Sequence, residues 1–405
     1  MGIAIKYTDK IGIVGLGKLG LPMLCAFIKR GFNPIGYDIN KNLINLLKSA
    51  RNPYQEDGIS EVIKSDKLWK SRFYSDLDSF INKIDTLFLI VPTPTKEKIF
   101  DISYLEAAIA NINVLLSEKE KKITLVVTST VNPGDCDKII SKYKDSKKFD
   151  LIYSPEFIAL GSVLRDMLNP DVVLLGGDSD HSIDKIFSIY SRLYISHPEF
   201  HRLNFFEAET AKIGINTYVT TKISFANTIG MFIEKKLGSR ESCQKVLDAI
   251  GGDSRIGRKY FKYGVSYGGP CFPRDNRALG YHLDNNKIPS FIPSATDNLN
   301  NFMITYWKNK IKKDKYDCLV LIGVAYKGGT DFLEESFMLK LAKKLKISTF
   351  YHDVYVSQIN NITKLNSKNH LSLLKKFTKI LVLVNYGDFE FNKALKNINV
   401  INIWN

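Results

Sequence analysis

The sequence lacks the long apolar run that a membrane-spanning helix needs. No stretch of about 18 uncharged apolar residues occurs in the chain, so a spanning helix is not expected. The first residues, MGIAIKYTDK, also lack the apolar segment of a signal peptide and lead straight into a strand pattern. We therefore expect a protein of the cytoplasm that has no membrane partner.

Cysteine is scarce and shows no pairing pattern. The five cysteines are an odd number, widely spaced and without any CxxC pair, which disfavours a disulfide framework or a zinc knuckle. We expect no metal site, and we expect at most one of these thiols to take part in chemistry. The cysteines are Cys25, Cys136, Cys243, Cys271 and Cys318.

Acidic residues are outnumbered by basic ones. The chain has 57 Lys and Arg against 42 Asp and Glu, a net charge of +15, which could attract nucleic acid, a membrane surface or an anionic small molecule. However, the lysines are scattered through helical stretches such as KKLGSR and KLAKKLK, as on solvated helix faces. No recognition motif or compact basic and aromatic stripe accompanies them, so we expect no nucleic-acid partner.

The residues that are present indicate a globular protein of several domains. Of 405 residues, 44% are apolar and 24% are charged, and this length predicts about two to three domains. Strand-like runs alternate with helical patterns at both ends of the chain, which is typical of parallel, doubly wound sheets. These predicted strands occupy 11–14, 34–38, 86–92, 123–130, 150–156, 172–177, 318–323, 348–353 and 379–384.

The middle of the chain has a different pattern. From about residue 205 to 236, apolar residues recur at helical spacing with no strand signal, and more helical sequence follows to about residue 310. The predicted fold class is therefore α/β, with two Rossmann-like doubly wound domains joined by a long central helix and a helical middle domain.

A glycine-rich turn follows the first predicted strand and opens a helix. In Gly15-Leu16-Gly17-Lys18-Leu19-Gly20, the first glycine permits the turn, the second lets the backbone approach a pyrophosphate, and the third allows close helix packing. Asp38 ends the next strand, 18 residues after Gly20, where a carboxylate accepts hydrogen bonds from ribose hydroxyls and repels a 2′-phosphate. The spacing predicts an NAD site rather than an NADP site.

A second segment, GVSYGGPCFPRD at 264–275, holds Cys271 between a glycine-rich turn and a proline. A lone cysteine is usually a small buried hydrophobe. A core position needs neither the glycines before this thiol nor the carboxylate of Asp275 four residues after it. We therefore interpret Cys271 as an exposed thiol held on a fixed backbone and available for chemistry.

Seven segments in one order resemble a known family, the nucleotide-sugar dehydrogenases of the UDP-glucose and GDP-mannose 6-dehydrogenase type. The resemblance runs from about residue 10 to 353, and the last fifty residues match poorly. The segments are GLGKLGLP at 15–22, VPTPT at 91–95, TSTVNPGD at 128–135, SPEFIALGS at 154–162, EAETAKIGINTYVTTKISFAN at 207–227, SYGGPCFPRD at 266–275 and VAYKGGTD at 324–331.

The resemblance implies three domains and a homodimer. The domains are an N-terminal NAD-binding Rossmann domain over 1–203, a central helical dimerisation and catalytic domain over 204–305, and a C-terminal nucleotide-sugar-binding α/β domain over 306–405. The homodimer is built on the long central helix, and Arg255 of each subunit reaches into the site of its neighbour.

The implied reaction is a four-electron oxidation of a sugar C6 alcohol to the carboxylate with two NAD, most simply UDP-glucose to UDP-glucuronate. An aldehyde cannot release hydride until its carbon becomes tetrahedral, so the thiol adds to give a thiohemiacetal, whose oxidation leaves a thioester for hydrolysis. Lys212 and Asn216 lie four apart on one helix and share a face. The implied catalytic residues are Cys271, Lys212, Asp275, Glu156, Asn216 and Thr130.

The resemblance also implies two sets of binding residues. The set for NAD is Gly15, Gly17, Lys18, Leu19, Gly20, Asp38, Pro92, Thr93 and Thr130. The set for the nucleotide sugar is Glu156, Phe157, Lys212, Asn216, Arg255, Tyr263, Tyr267, Gly268 and Lys327.

The chain departs from the family pattern at a few positions. Ile158-Ala159-Leu160 replaces a segment that usually contains a glutamate, which removes polar groups near the sugar. Glu334 stands where many members have an arginine associated with NAD, and a carboxylate cannot replace guanidinium contacts. Phe337 stands in place of proline, and Arg274 replaces a lysine with its charge retained.

Several other functions fit part of the pattern. Within enzymes, the substrate could be a UDP-N-acetylhexosamine (GlcNAc, GalNAc or ManNAc) or GDP-mannose. A two-electron β-hydroxyacid dehydrogenase shares the cofactor domain but has no use for Cys271. A non-catalytic NAD- or sugar-binding regulator would be expected to have lost Lys212, Cys271 or Asp275, and all three are present. A nucleic-acid binder rests on the net charge alone.

Overall fold

The structure is a computed structural model that describes residues 9–54, 56–144, 146, 148–311 and 315–404. The chain divides into two compact units, Met1–Lys212 and Ile213–Asn405. The first unit ends eight residues into a long helix, slightly after the boundary expected at 203. The division into three domains stays a prediction.

The first unit alternates strands and helices along its length. Its elements are β1 (Ile11–Val14), α1 (Gly20–Lys29), β2 (Ile35–Tyr37), α2 (Lys41–Lys48), α3 (Ile59–Ser65), β3 (Phe73–Tyr74), α4 (Leu77–Ile81), β4 (Thr86–Leu89), β5 (Thr95–Lys96), β6 (Ile99–Phe100), α5 (Ser103–Ser117), β7 (Ile123–Val127), α6 (Asp135–Lys142), β8 (Phe149–Tyr153), α7 (Val163–Leu168), β9 (Val172–Gly176), α8 (Asp180–Leu193), β10 (Glu199–Leu203) and the start of α9 (Phe205–Leu237).

Eight strands of the first unit form one sheet in the order β10-β9-β8-β7-β4-β1-β2-β3. The neighbouring strands pair in parallel except β8 and β9, which meet in a single antiparallel pair. Strands β1, β4 and β7 are buried along their whole length, as is typical of parallel strands in a sheet whose two faces are both covered by helices. In β7, Val126 packs in one core cluster, while Leu125 and Val127 pack in another.

The second unit contains the rest of α9 and a smaller sheet. Its further elements are α10 (Arg240–Gly251), α11 (Phe272–Asn285), α12 (Phe291–Ile311), β11 (Cys318–Ile322), α13 (Phe337–Leu345), β12 (Ser348–His352), β13 (Thr363–Lys364), α14 (His370–Leu374), β14 (Ile380–Val384) and β15 (Ile398–Asn402). The five strands are all parallel, in the order β13-β12-β11-β14-β15. Leu319 and Leu321 face the core that contains Trp307, whereas Val320 faces a separate cluster.

The architecture confirms the predicted fold class, with two Rossmann-like sheets and a helical stretch between them in the chain. The long helix expected over about 205 to 236 is α9, Phe205–Leu237. Strands β10 and β15 were not indicated by the sequence pattern, because EFHRL and INVIN contain polar residues and lie at sheet edges. Among the described residues, no helix is both long and apolar enough to cross a membrane.

Candidate functional site

The glycine-rich turn after β1 has the backbone geometry expected of a dinucleotide loop. Gly15 has φ +90, and a Cβ placed on it would lie 1.9 Å from the carbonyl oxygen of Ile90. A Cβ on Gly20 would lie 1.8 Å from the carbonyl oxygen of Gly15, so α1 begins in direct contact with the turn. These two positions therefore require glycine for the fold itself.

Gly17 differs from its two neighbours in the turn. A Cβ placed on Gly17 would meet nothing within 4 Å. This glycine is therefore not required by packing within the described chain, and the space beside it fits a group that approaches the backbone closely, as a pyrophosphate does at the N-terminus of a helix. Lys18 and Leu19, which follow it, are both half-buried.

Asp38 closes the same turn from the end of β2. The backbone N–H of Leu16 donates to Asp38 Oδ2 at 2.8 Å, and the N–H of Asn40 donates to Oδ1 at 2.8 Å. The carboxylate is thus fixed beside the glycine turn, where the ribose of NAD would be recognised. The open space at Gly17, the N-terminus of α1 and this fixed carboxylate together fit NAD.

The loops after β4 and β7 are hydrogen-bonded to each other at the carboxyl edge of the sheet. Ser129 Oγ accepts from the N–H of Val91 at 2.9 Å and donates to its carbonyl oxygen at 2.7 Å. Thr93 Oγ1 donates to the carbonyl oxygen of Thr130 at 2.8 Å. The predicted cofactor residues Thr93 and Thr130 therefore lie together, and Pro92 between these contacts is exposed.

Lys212, on α9, is brought to the loop after β8. Its Nζ donates to the carbonyl oxygen of Glu156 at 2.5 Å and lies 4.2 Å from the ring centroid of Phe157. Only 7% of Lys212 is exposed. Burial raises the pKa of the Glu156 carboxyl to about 7, although the Lys212 charge acts in the opposite direction. The three predicted residues form one cluster within the first unit.

Glu209, one turn before Lys212, was not predicted from the sequence. Its carboxylate is fully buried and accepts from the N–H of Gly134 at 2.5 Å and of Cys136 at 2.8 Å. These donors are at the start of α6, where the N-cap Gly134 has no side chain of its own to offer. Glu209 therefore ties α9 to the segment that follows Thr130. Only the local motif EAETAK pointed to this helix, and nothing in it indicated the partner.

Asn216 and Asp275 meet within the second unit. Asn216 Nδ2 donates to Asp275 Oδ2 at 2.6 Å, and Arg274 Nε donates to Oδ1 at 3.1 Å. Asp275 is fully buried, so both carboxylate oxygens are held by these neighbours rather than by bulk water. The arginine that replaces the usual lysine here pairs directly with the adjacent carboxylate.

Cys271 is exposed and is the N-cap residue of α11. Its carbonyl oxygen accepts from the N–H of Asp275 at 2.8 Å, in the first turn of that helix. The other cysteines of the chain are buried. The structure therefore places the thiol of Cys271 at the N-terminus of α11, where solvent can reach it.

The glycine segment before Cys271 is clamped by two asparagines that the sequence did not single out. Asn227, on α9, accepts from the N–H of Gly264 at 3.0 Å and donates to the carbonyl oxygen of Val265 at 2.9 Å. Asn300, on α12, accepts from the N–H of Tyr267 at 2.8 Å and donates to its carbonyl oxygen at 3.0 Å. Both asparagines are buried, so the backbone of this segment is fixed.

Two tryptophans also contact this segment at Gly264. Trp307 Nε1 donates to the carbonyl oxygen of Gly264 at 3.0 Å. A Cβ on Gly264 would lie 2.4 Å from the ring of Trp404. The position therefore requires glycine because an indole occupies the space of a side chain.

The next glycines pack against the loop that follows β11. The N–H of Gly269 donates to the carbonyl oxygen of Glu334 at 3.2 Å, and a Cβ on Gly268 would lie 2.4 Å from the carbonyl oxygen of Glu335. Gly269 has φ +80 and also lies against the ring of Tyr326. The backbone of Glu334 thus supports the glycine turn, while its side chain, at the position of the expected arginine, is exposed.

The remaining predicted sugar residues occupy different environments. Arg255 is exposed and pairs with Asp253, Nη2 to Oδ2 at 2.7 Å. Lys327 lies in the loop after β11. The side chains of Tyr263 and Tyr267 are buried, and the hydroxyl of Tyr263 donates to Glu234 at 2.7 Å. The hydroxyl of Tyr263 is therefore bonded within the second unit, and the assignment of this residue to the sugar site stays a prediction.

The segment Ile158-Ala159-Leu160, which departs from the family pattern, follows Glu156 and Phe157 and contributes to core packing. Ile158 and Leu160 pack against the core cluster of the first unit. The N–H of Ala159 donates to Asp166 at 3.1 Å, and that of Gly161 donates to Glu56 at 2.8 Å. Core packing and two carboxylates therefore hold this loop.

The chain matches a described family over most of its length. Residues 9–194 match the UDP-glucose/GDP-mannose dehydrogenase family, NAD binding domain. Residues 206–302 match the UDP-glucose/GDP-mannose dehydrogenase family, central domain.

Curated relatives and solved structures agree with this match. The chain is 26% identical to GDP-mannose 6-dehydrogenase of Pseudomonas savastanoi pv. phaseolicola, over 98% of this chain and 91% of the relative. It is 29% identical to UDP-glucose 6-dehydrogenase of Rickettsia typhi, over 89% of this chain and 83% of the relative. Its fold is similar to that of a UDP-glucose dehydrogenase from Pyrobaculum islandicum, with TM-score 0.83, 23% identity and 98% of both chains covered.

Proposed function

The chain belongs to the UDP-glucose/GDP-mannose dehydrogenase family of NAD-dependent enzymes, and from this premise we propose that it oxidises UDP-glucose to UDP-glucuronate. The observation that carries the proposal is Cys271, an exposed thiol at the start of α11 on a clamped glycine segment. A two-electron alcohol dehydrogenase needs no such thiol, whereas a four-electron oxidation needs a nucleophile for its second half.

The first oxidation converts the C6 alcohol to an aldehyde. NAD, when bound, accepts hydride from C6 in each of the two oxidations. As the alcohol loses its proton, negative charge develops on O6, and the ammonium of Lys212 and the amide of Asn216 are the groups proposed to stabilise it. Burial among Phe157 and the loop after β8 keeps the ammonium away from bulk water, which strengthens its effect on a nearby oxyanion.

The second oxidation passes through a covalent adduct. The sulfur of Cys271 adds to the aldehyde carbon, the carbonyl oxygen takes up a proton, and a thiohemiacetal forms. Loss of hydride and of the hydroxyl proton then leaves a thioester. Water attacks that carbonyl, the carbon–sulfur bond breaks, and the products are the carboxylate and the free thiol. We propose Glu156 and Asp275 as the carboxylates that activate the water, with Thr130 helping to order it.

A second substrate class, the UDP-N-acetylhexosamines, is favoured by one observation. Ile158-Ala159-Leu160 lacks the glutamate that is expected in this segment, and Ile158 and Leu160 pack against the core, so a carboxylate that could bind a sugar hydroxyl is missing. We retain UDP-glucose as the first candidate and treat the N-acetylated sugars and GDP-mannose as outcomes of the assay below.

We also propose that the enzyme is a cytoplasmic homodimer built on α9. Tyr218, Phe225 and Phe232 are 61%, 49% and 59% exposed, and they follow one another at seven-residue spacing on this helix. Such a stripe is typical of a helix that packs along a partner helix. The exposed guanidinium of Arg255 is the group proposed to act in the neighbouring subunit. Light scattering should show a dimer that Phe225→Glu converts to a monomer, and a Phe225→Glu variant that stays dimeric would exclude this face.

The experiment that tests the proposed function is a substrate panel read at 340 nm. Purified protein with NAD is given UDP-glucose, UDP-GlcNAc, UDP-GalNAc, UDP-ManNAc, UDP-galactose or GDP-mannose. We expect two NADH for each UDP-glucose consumed. One NADH per sugar would indicate a two-electron enzyme, and turnover of another sugar alone would reassign the substrate.

The covalent step has its own test. Cys271→Ala should retain NAD binding and lose acid production, with the matched control Cys243→Ala, a buried cysteine, retaining turnover. Normal formation of the sugar acid by Cys271→Ala would remove the thioester from the mechanism.

A further inference from the structure

The turn that follows β1 in the first unit is built a second time after β11 in the second unit. In the first unit, the N–H of Gly15 donates to the carbonyl oxygen of Tyr37 at 2.9 Å. In the second, the N–H of Gly323 donates to the carbonyl oxygen of His352 at 2.9 Å. Gly15 and Gly323 have φ +90 and +76, a conformation that favours glycine.

The acidic residue at the end of the next strand is repeated as well. The N–H of Leu16 donates to Asp38 Oδ2 at 2.8 Å, and the N–H of Val324 donates to Asp353 Oδ2 at 2.8 Å. Asp38 follows β2 and Asp353 follows β12, the second strand of each sheet. The two sheets therefore present the same loop and the same carboxylate.

The sequences of the two turns share the glycine spacing but differ at its centre. Residues 15–20 read GLGKLG, and residues 323–328 read GVAYKG. The middle glycine, which in the first unit has nothing within 4 Å of its Cβ position, is replaced by Ala325, a buried residue. This is the position at which a dinucleotide loop must approach a pyrophosphate.

Tyr386, just after β14, occupies the crevice of the second turn. Its hydroxyl donates to Asp353 Oδ2 at 2.5 Å and accepts from the N–H of Ala325 at 2.8 Å. A Cβ on Gly323 would lie 2.8 Å from its ring, and a Cβ on Gly328 would lie 3.2 Å from it. The hydroxyl of Tyr386 is thus bonded to the carboxylate and the backbone N–H that would otherwise bind the ribose and the phosphate of a dinucleotide.

We propose that Tyr386 is a positioning residue that fills this crevice in place of a second dinucleotide and holds the 323–330 loop in the shape that receives the nucleotide sugar. The loop carries Lys327, which the family resemblance assigns to the nucleotide-sugar site, so the inference rests on the proposed function of the enzyme. Because Tyr386 fastens the turn at Ala325, two residues before Lys327, loss of the hydroxyl frees the backbone from which the lysine side chain projects.

The same loop also contacts the segment before the thiol. Tyr326 lies against Gly269, and the loop continues to the carbonyl oxygen of Glu334, which accepts from the N–H of Gly269. Asn385, next to Tyr386, donates to the carbonyl oxygen of Ala325 at 3.4 Å and accepts from Trp404 Nε1 at 2.9 Å. The contacts that fix the 323–330 loop therefore connect to the contacts that fix the glycine segment before Cys271.

The test compares Tyr386→Phe with Tyr351→Phe. The first variant keeps the ring and loses two hydrogen bonds. The second is a matched control, because the hydroxyl of Tyr351, on β12 in the same sheet, is buried without a hydrogen-bond partner. For Tyr386→Phe we expect KM for the nucleotide sugar to rise about tenfold, the order of one hydrogen bond to a charged group. KM for NAD should change by less than about twofold, and Tyr351→Phe should match the wild type in both constants.

Amide hydrogen exchange over residues 323–330 provides a readout that does not depend on turnover. Exchange should be faster in Tyr386→Phe than in the wild type and in Tyr351→Phe. If the wild type oxidises no nucleotide sugar, the proposed function fails, and the exchange comparison still tests the hold on the loop. Unchanged exchange in Tyr386→Phe, or an equal rise of KM for NAD and for the sugar, would overturn the inference.

Discussion

The environment of Glu156 predicts an unusual dependence of stability on pH. Burial raises the pKa of this carboxyl from 4.5 to about 7 in the folded protein. The folded state therefore binds the proton more tightly than the unfolded state, and the stability that this provides is complete below pH 4.5 and lost as the pH rises through 7. A shift of this size corresponds to about 3 kcal/mol.

The substitution Glu156→Gln isolates this contribution, since glutamine has nearly the same shape and does not ionise. Urea unfolding of both proteins at several pH values between 4.5 and 8 gives the free energy of unfolding of each. We expect the free energy of unfolding of the wild type minus that of the variant to fall by about 3 kcal/mol as the pH rises across this range.

Subtracting the two curves removes other titrating groups, including Glu209, whose pKa burial also raises to about 7. Glu120→Gln, at an exposed glutamate outside the site, is the control for the substitution itself. Parallel curves for the wild type and Glu156→Gln would refute the desolvation argument.

Two further predictions concern the glycine turn and the clamp. Gly17→Ala should leave the free energy of unfolding in urea within about 0.5 kcal/mol of the wild-type value but weaken NAD binding in a fluorescence titration. Gly20→Ala should destabilise the fold, because its Cβ would meet a backbone carbonyl. Equal stability losses would contradict this distinction. Asn300→Ala should cost about 2 kcal/mol or more in urea unfolding, because two buried bonds to Tyr267 are lost. Exposed Asn301→Ala should cost less than about 0.5 kcal/mol, and equal costs would show that the clamp contributes nothing.

Local patterns in the sequence were sufficient for much of the fold. Buried parallel strands such as β11 are continuous apolar runs, and the glycine spacing with Asp38 marks a turn whose hydrogen bond to that carboxylate lies within one strand–helix–strand segment. By contrast, β10 and β15 are edge strands with polar residues, and their pairing depends on neighbours that are already in place.

The parts of the site that escaped prediction depend on partners distant in sequence. Asn300 reaches Tyr267 across 33 residues and Glu209 reaches Gly134 across 75, and no spacing rule connects such pairs. The hydrogen bond between Tyr263 and Glu234, 29 residues apart, is another such contact, and the assignment of Tyr263 to the sugar site stays a prediction.

The indole contacts at Gly264 make intrinsic fluorescence a local probe. The sequence has three tryptophans. Trp307 and Trp404 both touch Gly264, and Trp69 is buried in the first unit with its Nε1 bonded to the carbonyl oxygen of Leu47 at 2.7 Å. In a Trp69→Phe variant, changes in tryptophan emission would therefore report, in real time and without a dye, movements of the backbone segment that precedes Cys271.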